Sequence, residues 1–185
     1  MAFQGLTNKA GRAAMTITTL GFMVGVAFLN AGSAHSIGGL CNGQPASHTW
    51  LDASGQPGPA ILDGTGHSDT IIGSDGDDTI DGRGGDDFIC GAGGNDSIAG
   101  GPGDDAIRGD TGDDDVDGNS GHDTVVGDDG NDTVAGGGGH DFLVGGLGDD
   151  VMISGDDDSD DKVNGGDDLD DCIFGAGDEL ANCEY

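Results

Sequence analysis

An apolar residue recurs at every ninth position through the middle of the chain. From Gly64 the sequence divides without a gap into ten nine-residue units, which begin at Gly64, Gly73, Gly82, Gly91, Gly100, Gly109, Gly118, Gly127, Gly136 and Gly145. Position 8 is apolar in all ten: Ile71, Ile80, Ile89, Ile98, Ile107, Val116, Val125, Val134, Leu143 and Met152. Position 6 is Asp in all ten: Asp69, Asp78, Asp87, Asp96, Asp105, Asp114, Asp123, Asp132, Asp141 and Asp150. Position 4 is Gly in nine, with His67 the exception. The short end of each unit, rich in Ile and Val, predicts a strand of about three residues. Successive side chains of a strand point to opposite faces, so position 8 faces in while 7 and 9 face out. One apolar residue in nine cannot fill a two-layer globule. It can fill the narrow core of a solenoid in which many units stack.

Two looser units follow. Residues 154–164 place Asp161 and Val163 at the key positions after a two-residue insertion, and residues 165–174 place Asp171 and Ile173 there after a one-residue insertion. Gly at positions 1 and 4 predicts loops that need positive φ, which other residues resist.

The pattern Gly-Gly-x-Gly-x-Asp-x-apolar-x resembles the RTX, or hemolysin-type, calcium-binding nonapeptide repeats. The resemblance covers 64–153 without a break and extends with insertions to about Phe174. It implies an all-β fold, a right-handed parallel β-roll in which two units make one turn and the loops alternate between two edges. It also implies Ca²⁺ between successive loops of one edge, held by position-6 carboxylates and loop carbonyls. The ligand files implied are Asp69, Asp87, Asp105, Asp123 and Asp141 on one edge, and Asp78, Asp96, Asp114, Asp132 and Asp150 on the other, with Asp161 and Asp171 as extensions. Five loops per edge leave about eight inter-loop sites.

Charge agrees with a cationic partner. The 185 residues carry 36 Asp and Glu against 5 Lys and Arg, a net charge of −31, and contain 41 Gly. Such a chain repels nucleic acid and anionic membranes and attracts metal cations. Two of the cations, Lys9 and Arg12, precede an uncharged apolar run over 13–29 and the small residues Ala31, Gly32, Ser33 and Ala34. That order predicts a Sec-type signal peptide over 1–34, cut near Ala34, hence a secreted protein with no membrane span after cleavage. Residues 35–63 and 175–185 read as caps on the open ends of the solenoid. Export also suits disulfides. Cys90 at position 9 and Cys172 at position 7 are expected to face outward, within reach of the flanks. Among the three connectivities open to four cysteines this favours Cys41–Cys90 and Cys172–Cys183.

Other chemistries fit worse. Asp113, Asp115, Asp117 and Gly118 match half an EF-hand loop, but its twelfth position is Thr124 rather than the bidentate Glu. His122 and His140 stand at position 5, read as a variable, solvated loop position. No nucleophile elbow, zinc-protease helix or phosphate loop occurs in the sequence, so no catalytic role is expected. Asn95-Asp96-Ser97 and Asn131-Asp132-Thr133 match the glycosylation pattern and are read as repeat chemistry. The outward position-7 residues form a mixed ladder rather than a uniform binding surface. The expected role is a structural, surface or adhesion module, with a cell-surface glycan or secreted protein as partner; the alternative is a non-catalytic accessory of a secreted enzyme.

Overall fold

The computed structural model describes residues 48–49, 59–155 and 160–184. The predicted signal segment 1–34 and Cys41 lie outside the described residues, as does most of the N-terminal flank. Among the described residues fifteen strands follow in chain order: β1 (His48–Thr49), β2 (Ile61–Asp63), β3 (Thr70–Ile72), β4 (Thr79–Asp81), β5 (Phe88–Gly93), β6 (Ser97–Pro102), β7 (Ala106–Thr111), β8 (Asp115–Ser120), β9 (Thr124–Asp129), β10 (Thr133–Gly138), β11 (Phe142–Leu147), β12 (Val151–Ile153), β13 (Lys162–Asp167), β14 (Asp171–Ile173) and β15 (Glu179–Ala181). Odd-numbered strands form one parallel sheet and even-numbered strands the other. Two units therefore make one turn, and pairs such as Ile107↔Val125 and Val116↔Val134 lie one turn apart. This is the expected parallel β-roll. No helix among the described residues is long and apolar enough to cross a membrane.

Between the sheets runs a single file of side chains. Ile71, Ile80, Ile89, Ile98, Ile107, Val116, Val125, Val134, Leu143 and Met152 are buried, so position 8 faces inward throughout. Leu62 and Val163 extend this core, and Leu180 packs against it. The roll therefore begins before Gly64, since β1 pairs with β3 and β2 with β4, and both its first strands and its last rung, β15, lie within segments expected to be caps.

The final unit has a different register from the one expected. Met152 pairs with Cys172, and Val151 with Asp171. Cys172 is 7% exposed and belongs to the core, whereas Ile173 is 56% exposed. Position 8 is thus Cys172 and position 6 is Asp170, so 165–173 is a regular nonapeptide without an insertion. A one-residue slip in a strand exchanges its two faces. The expectation that Ile173 would face in, Asp171 would join the aspartate file and Cys172 would face out is corrected accordingly. The Cys172–Cys183 disulfide forms nonetheless, with Cα atoms 5.7 Å apart, at the end of the core rather than on the outside. Cys90 is also disulfide-bonded. It is buried with Ile72 in a separate small cluster, with Phe88 against it.

Interior strands run for six residues, through positions 7, 8, 9 and on into 1, 2 and 3. Their burial alternates, so the glycine at position 1 faces inward beside the core residue. Its role is space rather than positive φ. A Cβ on Gly100 would fall within 3 Å of Asp105 Oδ2, the Gly118 carbonyl and the Ile107 side chain. Positive φ occurs at position 2 instead, and there it is often not glycine: Arg83, Ala92, Asp110, Asn119 and Asp128 all have φ between 72° and 84°. Asn and Asp are the residues that tolerate this region best. The position-4 glycines from Gly85 to Gly148 are needed on both grounds, although His67 and Asp168 stand at position 4 in the first and last units. Gly121 has φ +147°, and a Cβ there would overlap the carbonyl oxygen of Gly103 one turn back.

Candidate metal centre

Each turn from strand to strand passes through position 6, and the roll stacks these turns in two files. The backbone N–H of one position-6 Asp donates to Oδ1 of the position-6 Asp one turn on. On one edge Asp69, Asp87 and Asp105 donate to Asp87, Asp105 and Asp123, each at 2.8 Å, and Asp123 donates to Asp141 at 2.9 Å. Asp141 then donates to Asp161 at 2.8 Å. On the other edge the chain of bonds runs from Ala60 through Asp78, Asp96, Asp114, Asp132 and Asp150 to Asp170, over 2.6–3.0 Å. The carbonyl of each such Asp is used too, accepting the position-7 N–H one turn on, as in Asp115 N–H to Asp96 O at 2.8 Å.

The second carboxylate oxygen has no such donor. Oδ2 of Asp87, Asp96, Asp105, Asp114, Asp123, Asp132, Asp150 and Asp170 is buried and accepts no hydrogen bond. These residues are at most 3% exposed. A buried acceptor without a donor costs about 1–3 kcal/mol when neutral and more when charged. The carboxyls show the strain in their acidity. Burial pushes Asp96, Asp114 and Asp123 up to about 7, and Asp105 and Asp150 up to about 6. The main-chain N–H on Oδ1 pulls the other way, and neighbouring carboxylates add to the rise. Asp87, Asp132 and Asp170 are raised for the same leading reason. Such a site asks for a proton or a cation.

Among the described residues no three His, Cys, Asp or Glu side chains converge as a metal-binding group. A stacked roll explains this, because each turn contributes one position-6 carboxylate per edge. A cation here would draw on carboxylates of successive turns and complete its shell with main-chain carbonyls. An all-oxygen set of carboxylates and carbonyls suits a hard cation such as Ca²⁺ rather than a thiophilic metal. In this donor set Ca²⁺ would be held by the position-6 carboxylates whose Oδ2 lacks a donor, such as Asp105 and Asp114, together with carbonyls of the glycine loops.

The expected residues are therefore placed as follows. All ten position-6 aspartates of the regular units stand in the two files, and so does Asp161. Asp171 does not: it is exposed on the outer face of β14, and Asp170 takes its place. Three further carboxylates escaped the sequence reading. Besides Asp170, Asp178 continues the first file by accepting the Asp161 N–H at 3.2 Å, and Glu184 ends the second by accepting the Asp170 N–H at 3.0 Å. A regular count of nine from Gly165 would have found Asp170.

Position 5 is more ordered than its variability suggests. Its side chains form an outer ladder, in which Asn95, Asp113, Asn131 and Asp149 N–H groups donate to Asp77, Asn95, Asp113 and Asn131 over 2.9–3.1 Å. His122 and His140 join a parallel ladder. The His140 N–H donates to His122 Nδ1 at 3.0 Å, and the rings stack with centroids 5.3 Å apart. Each of these histidines accepts a main-chain N–H through Nδ1, His122 from His140 and His140 from Asp160.

Arg108 pairs with Asp110 in its own turn and with Asp128 one turn on. Its neighbourhood is acidic but lies outside the position-6 files.

The family model of the RTX calcium-binding nonapeptide repeat matches the chain in four copies, over residues 63–98, 91–125, 117–152 and 126–159. None of the curated proteins compared matches it. The matched span covers both aspartate files from Asp69 to Asp150 and more than half of the sequence, and so the chain belongs to the RTX calcium-binding nonapeptide-repeat family.

Proposed function

We propose that this protein is an exported, non-catalytic β-roll that folds on binding several Ca²⁺ ions between its glycine- and aspartate-rich loops, and serves as a structural, surface or adhesion module. The observation that carries the reading is the row of buried Oδ2 atoms without donors, repeated on both edges of the roll. A divalent cation supplies what those atoms lack and reverses the repulsion between stacked carboxylates. The predicted signal segment supports export, and export brings the chain to calcium concentrations that weak extracellular modules need, about 10⁻⁴–10⁻³ M.

Ca²⁺ is the expected cation rather than Mg²⁺. Mg²⁺ dehydrates reluctantly and demands near-octahedral geometry, whereas loop carbonyls and carboxylates offer a flexible oxygen shell. Isothermal titration of the secreted chain with each metal tests the proposal. Several equivalents of Ca²⁺ binding with little Mg²⁺ competition are expected; no calcium binding, or equal binding of both, contradicts it.

A further inference from the structure

The aspartates at the N-terminal end of the two files differ from those of the interior. In the unit that starts at Gly64, Asp69 Oδ2 accepts both the Thr65 N–H at 2.6 Å and the Thr65 hydroxyl at 2.8 Å. In the next unit, Asp78 Oδ2 accepts the Ser74 N–H at 2.6 Å, while Asp78 Oδ1 accepts the Ser74 hydroxyl at 3.1 Å and the Ala60 N–H at 2.6 Å. The far end repeats the device, with Asp178 Oδ2 accepting the Ser154 hydroxyl at 2.6 Å and the Gly175 N–H at 2.8 Å. The oxygen that lacks a donor in the interior is satisfied at both ends by a main-chain N–H, with a hydroxyl on the same carboxylate.

Loop conformation separates the same groups. Position 2 has positive φ in every unit from Gly82 through Gly145, but Thr65 and Ser74 do not. A β-branched residue resists that region, so Thr65 keeps its loop in the closed form. To hold an ion like an interior loop, the first loop would have to lose two hydrogen bonds and force Thr65 into a left-handed conformation.

From these two observations, and resting on the calcium reading above, we infer that Thr65 and Ser74 close the first loop of each edge without a metal, so that Asp69 and Asp78 are not calcium ligands and the ions are confined to loops from Gly82 onward. The two N-terminal turns then form a metal-independent platform on which calcium-bound turns stack. The hydroxyl–carboxylate pairs do there what the ion does further along.

Calcium stoichiometry of the secreted chain, measured by equilibrium dialysis at saturating Ca²⁺, tests this. Asp69→Asn and Asp78→Asn are expected to leave the number of bound ions unchanged, while Asp114→Asn lowers it by one or two. Ser74→Gly, which restores a glycine to position 2, is expected to raise it by one. A loss of ions in Asp69→Asn or Asp78→Asn like that in Asp114→Asn overturns the inference while leaving the calcium reading intact. An unchanged count in Ser74→Gly overturns the role given to the hydroxyl. An unaltered chain that binds no calcium overturns the calcium reading and this inference together.

Discussion

Asp114→Asn should change the stability of the roll in opposite directions with and without calcium. Asp114 lies in mid-file, 3% exposed. Its Oδ1 accepts the Asp96 N–H at 2.8 Å, a bond that Asn keeps through its amide oxygen. The substitution therefore removes the charge and puts an amide NH2 in place of the donor-less Oδ2. In chelator at pH 8 the charge is a burden, since burial pushes the Asp114 pKa up to about 7. Relief of that burden should stabilise the metal-free roll, on the order of 1–3 kcal/mol after allowance for solvent screening. On the proposed calcium reading the same charge is a ligand shared by the gaps on either side of its loop. A site held at 100 times its Kd contributes about 2.7 kcal/mol, so loss of two removes about 5 kcal/mol. The net effect in calcium is a destabilisation of about 2–4 kcal/mol once the relief is subtracted. Urea unfolding followed by circular dichroism measures the calcium-bound side. Folding driven by trimethylamine N-oxide in chelator measures the metal-free side, because that osmolyte favours compact states. The same sign under both conditions would refute the view that this carboxylate is costly alone and useful only with a cation.

Three further outcomes follow from the same geometry. Gly121→Ala should prevent the roll from forming even in millimolar calcium, because it combines φ +147° with a Cβ that overlaps the Gly103 carbonyl, whereas Gly66→Ala, with nothing within 4 Å, should be silent; far-UV circular dichroism of the two variants checks both. Acid should partly replace calcium. The folded acidity of Asp96, Asp114 and Asp123, about 7, lies above the ordinary carboxyl value of 3.8, so the folded state binds more protons and the metal-free roll should gain stability as pH falls from 8 toward about 4; unchanged osmolyte-induced folding over that range would contradict this. Cys172→Ala with Cys183→Ala should cost about 2–4 kcal/mol, from lost chain restriction and a smaller core residue at position 8, and hydrogen exchange should place the loosening in the last turns rather than at β5.

The period of nine made the core legible, because a single inward apolar side chain per unit leaves only one file to find. Register failed where composition misled. Ile173 is the more apolar choice beside Cys172, yet the uninterrupted count from Gly165 decides the pairing with Met152. The glycines were legible as a requirement but not as a reason. Position 1 is small because a carboxylate and a neighbouring carbonyl crowd it, and only the stacked turns bring those atoms there. The position-5 ladder was hidden for another cause. Asp, Asn and His look interchangeable only when each is seen to offer an acceptor at the same reach from the backbone. The same holds for Thr65 and Ser74, whose hydroxyls gain meaning only once the interior carboxylates are seen to lack donors.

Far-UV circular dichroism of the disulfide-intact secreted chain, titrated with Ca²⁺ from excess chelator to several millimolar, tests most directly whether calcium creates this fold. The account predicts a largely unfolded spectrum in chelator and a cooperative gain of β signal between micromolar and millimolar Ca²⁺. The same β signal in chelator as in calcium would contradict it.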